Sequence, residues 1–191
     1  VLGYNDGIAT QACDFSLHRE NPQNNWGLSK RELKKHREGT HEINDPDYER
    51  LKELDITKLK STLLMLKRAI RNNFKAKYLL ADSWFSSAEF IKNVREISKD
   101  KVHYLGIGKK DQSRYEIKGV GWNPKHIIKK YSKKSTLRNK KYNCEYFYVK
   151  CEIHDIDVKL IFIRNINGQD WNFIITTDMN MTFEKAYELY Q

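Results

Sequence analysis

Tyr78-Leu79-Leu80-Ala81-Asp82-Ser83-Trp84-Phe85-Ser86-Ser87-Ala88-Glu89-Phe90-Ile91 is the stretch whose reading decides the fold. Three apolar residues run into a carboxylate, and a short turn then leads to a helical pattern. This predicts a buried strand over 77–82 and a helix over 86–98, with Phe90, Ile91, Val94 and Ile97 facing inward. Ser86 and Glu89 match an S-x-x-E capping box. With Ser86 and Ser87 as cap candidates, Asp82 is left without a structural task. In open α/β sheets, ligand chemistry collects outside the carboxyl ends of strands. Asp82 is therefore the leading candidate for a catalytic, metal-binding acid.

Working outward, Val102–Gly108 reads as the next strand, parallel to the first across the helix. Upstream, Leu59, Leu63, Leu66 and Ile70 mark one face of a helix over 57–73, with Thr57 as its cap and Arg68 on its wet side. Asn5-Asp6-Gly7 signals a tight turn between strands at 1–4 and 8–17. Residues 18–55 read as a long polar loop with short helices near 29–37 and 46–53. Downstream, Pro124 starts a short helix to about 131. Residues 142–153 and 156–165 alternate as a hairpin around His154-Asp155. Asn167-Gly168 opens the turn to a strand over 171–177, and Thr182 starts a last helix. The class is α/β with a mixed sheet flanked by helices.

The 191 residues suit one domain carrying an insertion. At 39% hydrophobic and 31% charged, the composition is that of a soluble globular chain. No apolar run approaches the roughly 20 residues of a membrane span. Three cysteines without a CxxC pair argue against a disulfide framework or a zinc site, and predict reduced thiols in a cytoplasm. The opening Val1-Leu2-Gly3-Tyr4 reads as the tail of a strand already in progress, which predicts a fragment.

The net charge of +10 is localised. Lys109, Lys110, Arg114, Lys118, Lys125, Lys129, Lys130, Lys133, Lys134, Arg138, Lys140 and Lys141 face only two acids, Asp111 and Glu116, within 109–141. This segment carries the whole excess, and Tyr115, Trp122 and Tyr131 are interleaved with it. Clustered cations with aromatics are the footprint of phosphate-backbone binding, and Trp122 is a candidate for stacking on a base. With Asp82, this points to two-metal (Mg²⁺ or Mn²⁺) phosphodiester chemistry on DNA. A non-catalytic DNA-binding module is the alternative.

Other acids are weaker candidates. Asp14 lies on a strand and faces solvent or a salt bridge. Asp6 belongs to the hairpin turn, and Asp178 to a turn or cap. Glu184 and Glu188 share a helix face. Asp157-Val158-Lys159 faintly matches the D-x-K of restriction-type nucleases, though an exposed charged strand face explains it as well.

Three segments together resemble the DDE transposases of bacterial insertion sequences, in the branch whose RNase H-like core carries a β-rich insertion before its last catalytic helix. They are Leu2–Gly7 running into Cys13–His18, Leu80–Ser86, and Ile174–Asp178 followed by Thr182–Tyr190. The resemblance implies an RNase H-like core over 1–108 lacking its first strand, a basic β-rich insertion over 109–177, and the start of the last catalytic helix over 178–191. Asp82 matches the second acid of the triad. Tyr190 matches the tyrosine of the Y-x2-R-x3-E-x6-K pattern and joins the DNA-contacting set. The first and third acids are expected upstream of Val1 and beyond Gln191, so the chain alone is not expected to catalyse strand transfer. The resemblance also implies transposon-end and target DNA as partners, a homodimer on that DNA, no membrane, and a cytoplasmic, nucleoid-associated location.

Overall fold

A computed structural model describes residues 1–16, 31, 34, 35, 38, 50 and 53–190. Arg31, Lys34, Lys35, Glu38 and Arg50 are helical. The rest of the two helices expected near 29–37 and 46–53 lies outside the described residues. The chain divides into two compact units, Val1–Lys75 and Ala76–Gln191.

In the first unit, β1 (Leu2–Asn5) and β2 (Thr10–Asp14) form an antiparallel ribbon. Its turn is made by side chains. Asn5 Oδ1 accepts from Gly7 N, and Asp6 Oδ1 accepts from Ile8 N and Ala9 N at 2.8 and 2.9 Å. Gly7 takes φ +93°, which a side chain would disfavour. Helix α1 (Lys58–Arg71) is capped by Thr57, as expected. Its buried residues are Ser61, Met65, Leu66 and Ala69, while Leu59, Leu63 and Ile70 are half-buried. Leu66 of the expected leucine face is thus buried, and the buried side extends towards the side that carries Arg68. The cause is ionic. Arg68 Nε donates to Asp14 Oδ2 at 2.7 Å, and its Nη1 donates to Glu53. Arg50 Nη2 donates to Asp14 Oδ1 at 2.6 Å. Arg68 is therefore not on the wet side, and Asp14 is held in a salt bridge.

The second unit is built on one eight-stranded sheet. Its order is β3 (Tyr78–Ala81), β4 (His103–Ile107), β10 (Asn172–Thr176), β9 (Ile156–Asn165), β8 (Cys144–Ile153), β5 (Tyr115–Ile117) and β6 (Val120–Trp122), with β7 (Leu137–Asn139) also paired to β8. β3 and β4 are parallel, as expected, joined through α2 (Ala88–Ile97), and the other pairs are antiparallel. The β8–β9 turn places His154 and Asp155 at φ +49° and +62°, a two-residue hairpin of the primed kind. The resemblance expects the 1–17 hairpin and the Asp82 strand to share an RNase H-like sheet, whereas here each belongs to a separate sheet. Residues 109–177 supply β5 to β10, which continue the sheet begun by β3 and β4.

Alternation along the strands assigns the two sheet faces. On one, Leu105, Ile161 and Ile174 pack with Met181 and with Phe183 and Ala186 of α4 (Phe183–Tyr190). On the other, Phe147, Phe162 and Phe173 stack in a row, with centroids 4.7 and 5.0 Å apart. There Phe90 of α2 meets Tyr104 edge-on at 6.3 Å. Helix α3 (Pro124–Ser135) is capped by Asn123 and buries Ile127 completely. Each such large side chain contributes about 1.5–3 kcal/mol through burial.

Gly106 fixes this packing beside the Asp82 strand. A Cβ there would fall 2.0 Å from the Tyr104 hydroxyl, on a ring that is fully buried. Gly106→Ala is therefore expected to lower unfolding free energy by about 1–3 kcal/mol in urea titration, and by clearly less in a Tyr104→Ala background. An equal cost in both backgrounds would contradict the assignment.

Candidate functional site

Strand β3 ends at Ala81, and Asp82 follows in extended geometry, with its side chain exposed. Its Oδ1 accepts from Trp84 N at 2.7 Å and caps a single 3-10 turn, Ser83–Phe85. Asp82 therefore has a structural task that the sequence reading denied it. The helix cap is Ser87, which accepts from Phe90 N, while Ser86 Oγ donates to Ser83 O. The expected Ser86–Glu89 box does not form, because with Ser87 at the cap the third helical residue is Phe90, which cannot accept from the cap N–H. Asp82 makes no ion pair among the described residues.

Tyr190, from the end of α4, reaches this strand end. Its hydroxyl donates to the Ala81 carbonyl and accepts from Ile107 N at 3.2 Å. The half-buried phenol is pushed up by burial, and the nearby Asp82 charge pushes it further. Tyr190, expected among the DNA-contacting residues, links α4 to the ends of β3 and β4. Tyr104 is also pushed up by burial, with Tyr190, Tyr115 and Asp82 adding to the effect, and its hydroxyl has no hydrogen-bond partner. Beyond Ile107 and Tyr190 opens a cavity of about 720 Å³, lined further by Tyr187, Ile174 and Arg164.

The basic segment is spread over several elements. Lys125, Lys129 and Lys133 follow one another along the exposed side of α3, opposite Ile127. Their four-residue spacing puts successive charges ~6 Å apart along the axis. Lys130 stands over the Trp122 ring at 4.0 Å, so one face of that half-buried indole is taken. Lys118 sits in the β5–β6 turn at φ +53°, and Arg114 lies along Gly121. Lys109 stands over Trp84 at 4.8 Å. Lys110, Lys134 and Lys140 are exposed. Two cations are answered from within the unit. Arg138 pairs with Glu145 at 2.9 Å, and Lys141 with Glu188 at 3.0 Å. Arg164 and Arg138 beside Glu145 hold its carboxyl below its ordinary value. The sequence reading missed Glu145, whose partners become visible only once β7, β8 and β9 are paired.

The other acids singled out in this unit do not gather around Asp82. Glu184 accepts from Asn139, and Glu188 from Tyr142 and Lys141. Asp157 is exposed opposite Glu152, but Lys159 is buried and donates to Met181 O at 2.6 Å. The D-x-K pair is therefore not a shared exposed face. Asp178 lies at the opposite end of the sheet, where it accepts from Tyr78 Oη at 2.7 Å and from Asn180 N. Among the described residues no group of three His, Cys, Asp or Glu side chains stands ready to hold a metal ion. No described helix is long and apolar enough to cross a membrane.

No family model, no curated protein and no solved structure matches this chain. What the site can do therefore rests on its own geometry.

Burial pushes the Asp178 carboxyl up, but the Tyr78 hydroxyl, the Asn180 N–H and nearby cations pull it below its ordinary value. A depressed carboxyl contributes stability above its unfolded pKa and loses it as pH falls through the folded value. Tyr78→Phe is expected to raise the Asp178 midpoint in an NMR titration and to reduce the share of acid destabilisation that this carboxyl contributes. An unmoved midpoint would contradict this assignment.

Proposed function

We propose that this chain is part of the catalytic domain of a DDE-type DNA transposase, with Asp82 as a metal-binding acid and residues 109–141 as DNA surface. The observation that carries the reading is the Tyr190 hydroxyl on the Ala81 carbonyl. Two segments singled out for the same resemblance, 109 residues apart, meet at the strand end that bears Asp82. The finer architecture that goes with the reading is an RNase H-like core with a β insertion. Its partners are transposon-end and target DNA, bound by a homodimer in a nucleoid-associated location.

Asp82 fits one ligand of a divalent-ion site. It is an exposed carboxylate at a strand terminus, with one oxygen on a backbone N–H and no ion-paired cation among the described residues. The further carboxylates that such a site needs are not among the described residues gathered at Asp82. An Mg²⁺ or Mn²⁺ pair bound there would activate the attacking oxygen and stabilise the leaving one. The lysines of α3 hold phosphates through charge and set no sequence preference by themselves.

A second reading has a specific observation behind it. Asp82 caps the Ser83–Phe85 turn, which accounts for the residue without catalysis, so a non-catalytic DNA-binding module would keep it too. Metal separates the two. In an Mn²⁺ titration followed by NMR, Asp82, Ser83 and Ile107 are expected to broaden first, and Asp82→Asn to abolish the effect. Broadening centred elsewhere, or unchanged in the variant, would leave only the binding module. Duplex affinity is expected to fall with salt, and replacing Lys125, Lys129 and Lys133 by Gln to flatten the log–log slope by about 0.9 per lysine. An unchanged slope would remove α3 from the DNA surface.

A further inference from the structure

Trp84 is 73% exposed, an unusual state for a residue type that is mostly buried. It is held firmly nonetheless. The Asp82 carboxylate accepts from its backbone N–H at 2.7 Å, Phe85 N donates to Asp82 O at 3.1 Å, and the Phe85 ring packs on Phe90 at 5.4 Å. The indole therefore stands on a pinned turn, two residues beyond the proposed acid. Lys109 places its ammonium 4.8 Å from the ring centroid. Among the described residues no other aromatic ring touches it. The other described tryptophans are less available. Trp122 is half-covered beneath Lys130, and Trp171 is 6% exposed between Phe147 and Arg164.

We propose that Trp84, steadied by Lys109, is a stacking platform for an unpaired DNA base beside Asp82. This rests on the DNA reading above and adds to it the form of DNA engaged at the acid. A free indole face next to an ammonium matches a base next to its own phosphate. The base lies on the ring, and Lys109 and the adjoining Lys110 meet the backbone. A paired base has both faces covered by its neighbours and offers only edges, so the fit is to a strand that has left the duplex. Trp84 is then a positioning residue. By holding one base, it fixes which phosphodiester lies nearest Asp82.

The test is fluorescence anisotropy of the 191-residue chain with labelled oligo-dT, the same oligomer carrying abasic sites, and a duplex. Trp84→Ala is expected to weaken oligo-dT binding about five- to a hundredfold while leaving duplex affinity unchanged. The loss should vanish on the abasic strand, and the salt slope should not move. Trp84→Phe, which keeps a ring, should retain part of the affinity. Lys109→Gln should flatten the single-strand salt slope by about 0.7. Equal losses on dT and abasic strands, or no loss on dT, overturn the platform while leaving the DNA surface intact. A wild-type chain that binds none of the three probes overturns both readings.

Discussion

The hydroxyl of Tyr190 spans the point where two parallel strands stop. The β3–β4 ladder ends at Ala81 opposite Gly106. One residue further, the Ala81 carbonyl and the Ile107 N–H both meet the same phenol. That bridge docks the end of α4 on the strand ends from which Asp82 emerges. The neighbouring constraint is steric. Tyr104 folds its ring over Gly106, and only a residue without a side chain permits it. Asp82 thus begins where regular pairing ends, on a backbone fixed from behind by Tyr190 and from ahead by its own capped turn.

Much of this was legible in the sequence, for local reasons. Thr57 and Pro124 marked helix starts by their backbone chemistry, and the hairpin at His154-Asp155 followed from alternation on either side. What stayed hidden depended on distant partners. The helical period placed α1 and its buried Leu66 but left Arg68 on the wet side, because its partners Asp14 and Glu53 lie 54 and 15 residues away. The order of the sheet was equally hidden. β10 inserts between β4 and β9, so the strands of the expected insertion continue the sheet of β3 and β4. Asp82 was found for its position, but its capping role was missed because a single 3-10 turn has no periodicity to read.

The charge reading was legible in total and incomplete in detail. Counting residues located the excess between 109 and 141. It did not reveal that Glu145 and Glu188 neutralise Arg138 and Lys141, or that Lys130 and Lys109 stand over indoles. The cations left for a polyanion are concentrated on α3 and around the β5–β6 turn. Asp82 and these cations belong to one unit built on one sheet.

Amide hydrogen exchange at Ile107 tests the keystone directly. Its N–H donates to Tyr190, so it should be protected in the native chain. In Tyr190→Phe it should exchange about five- to a hundredfold faster, while Leu105, inside the ladder, is unaffected. Equal protection of Ile107 in both proteins would mean that α4 is not tied to the strand end bearing Asp82, and the account would fail there.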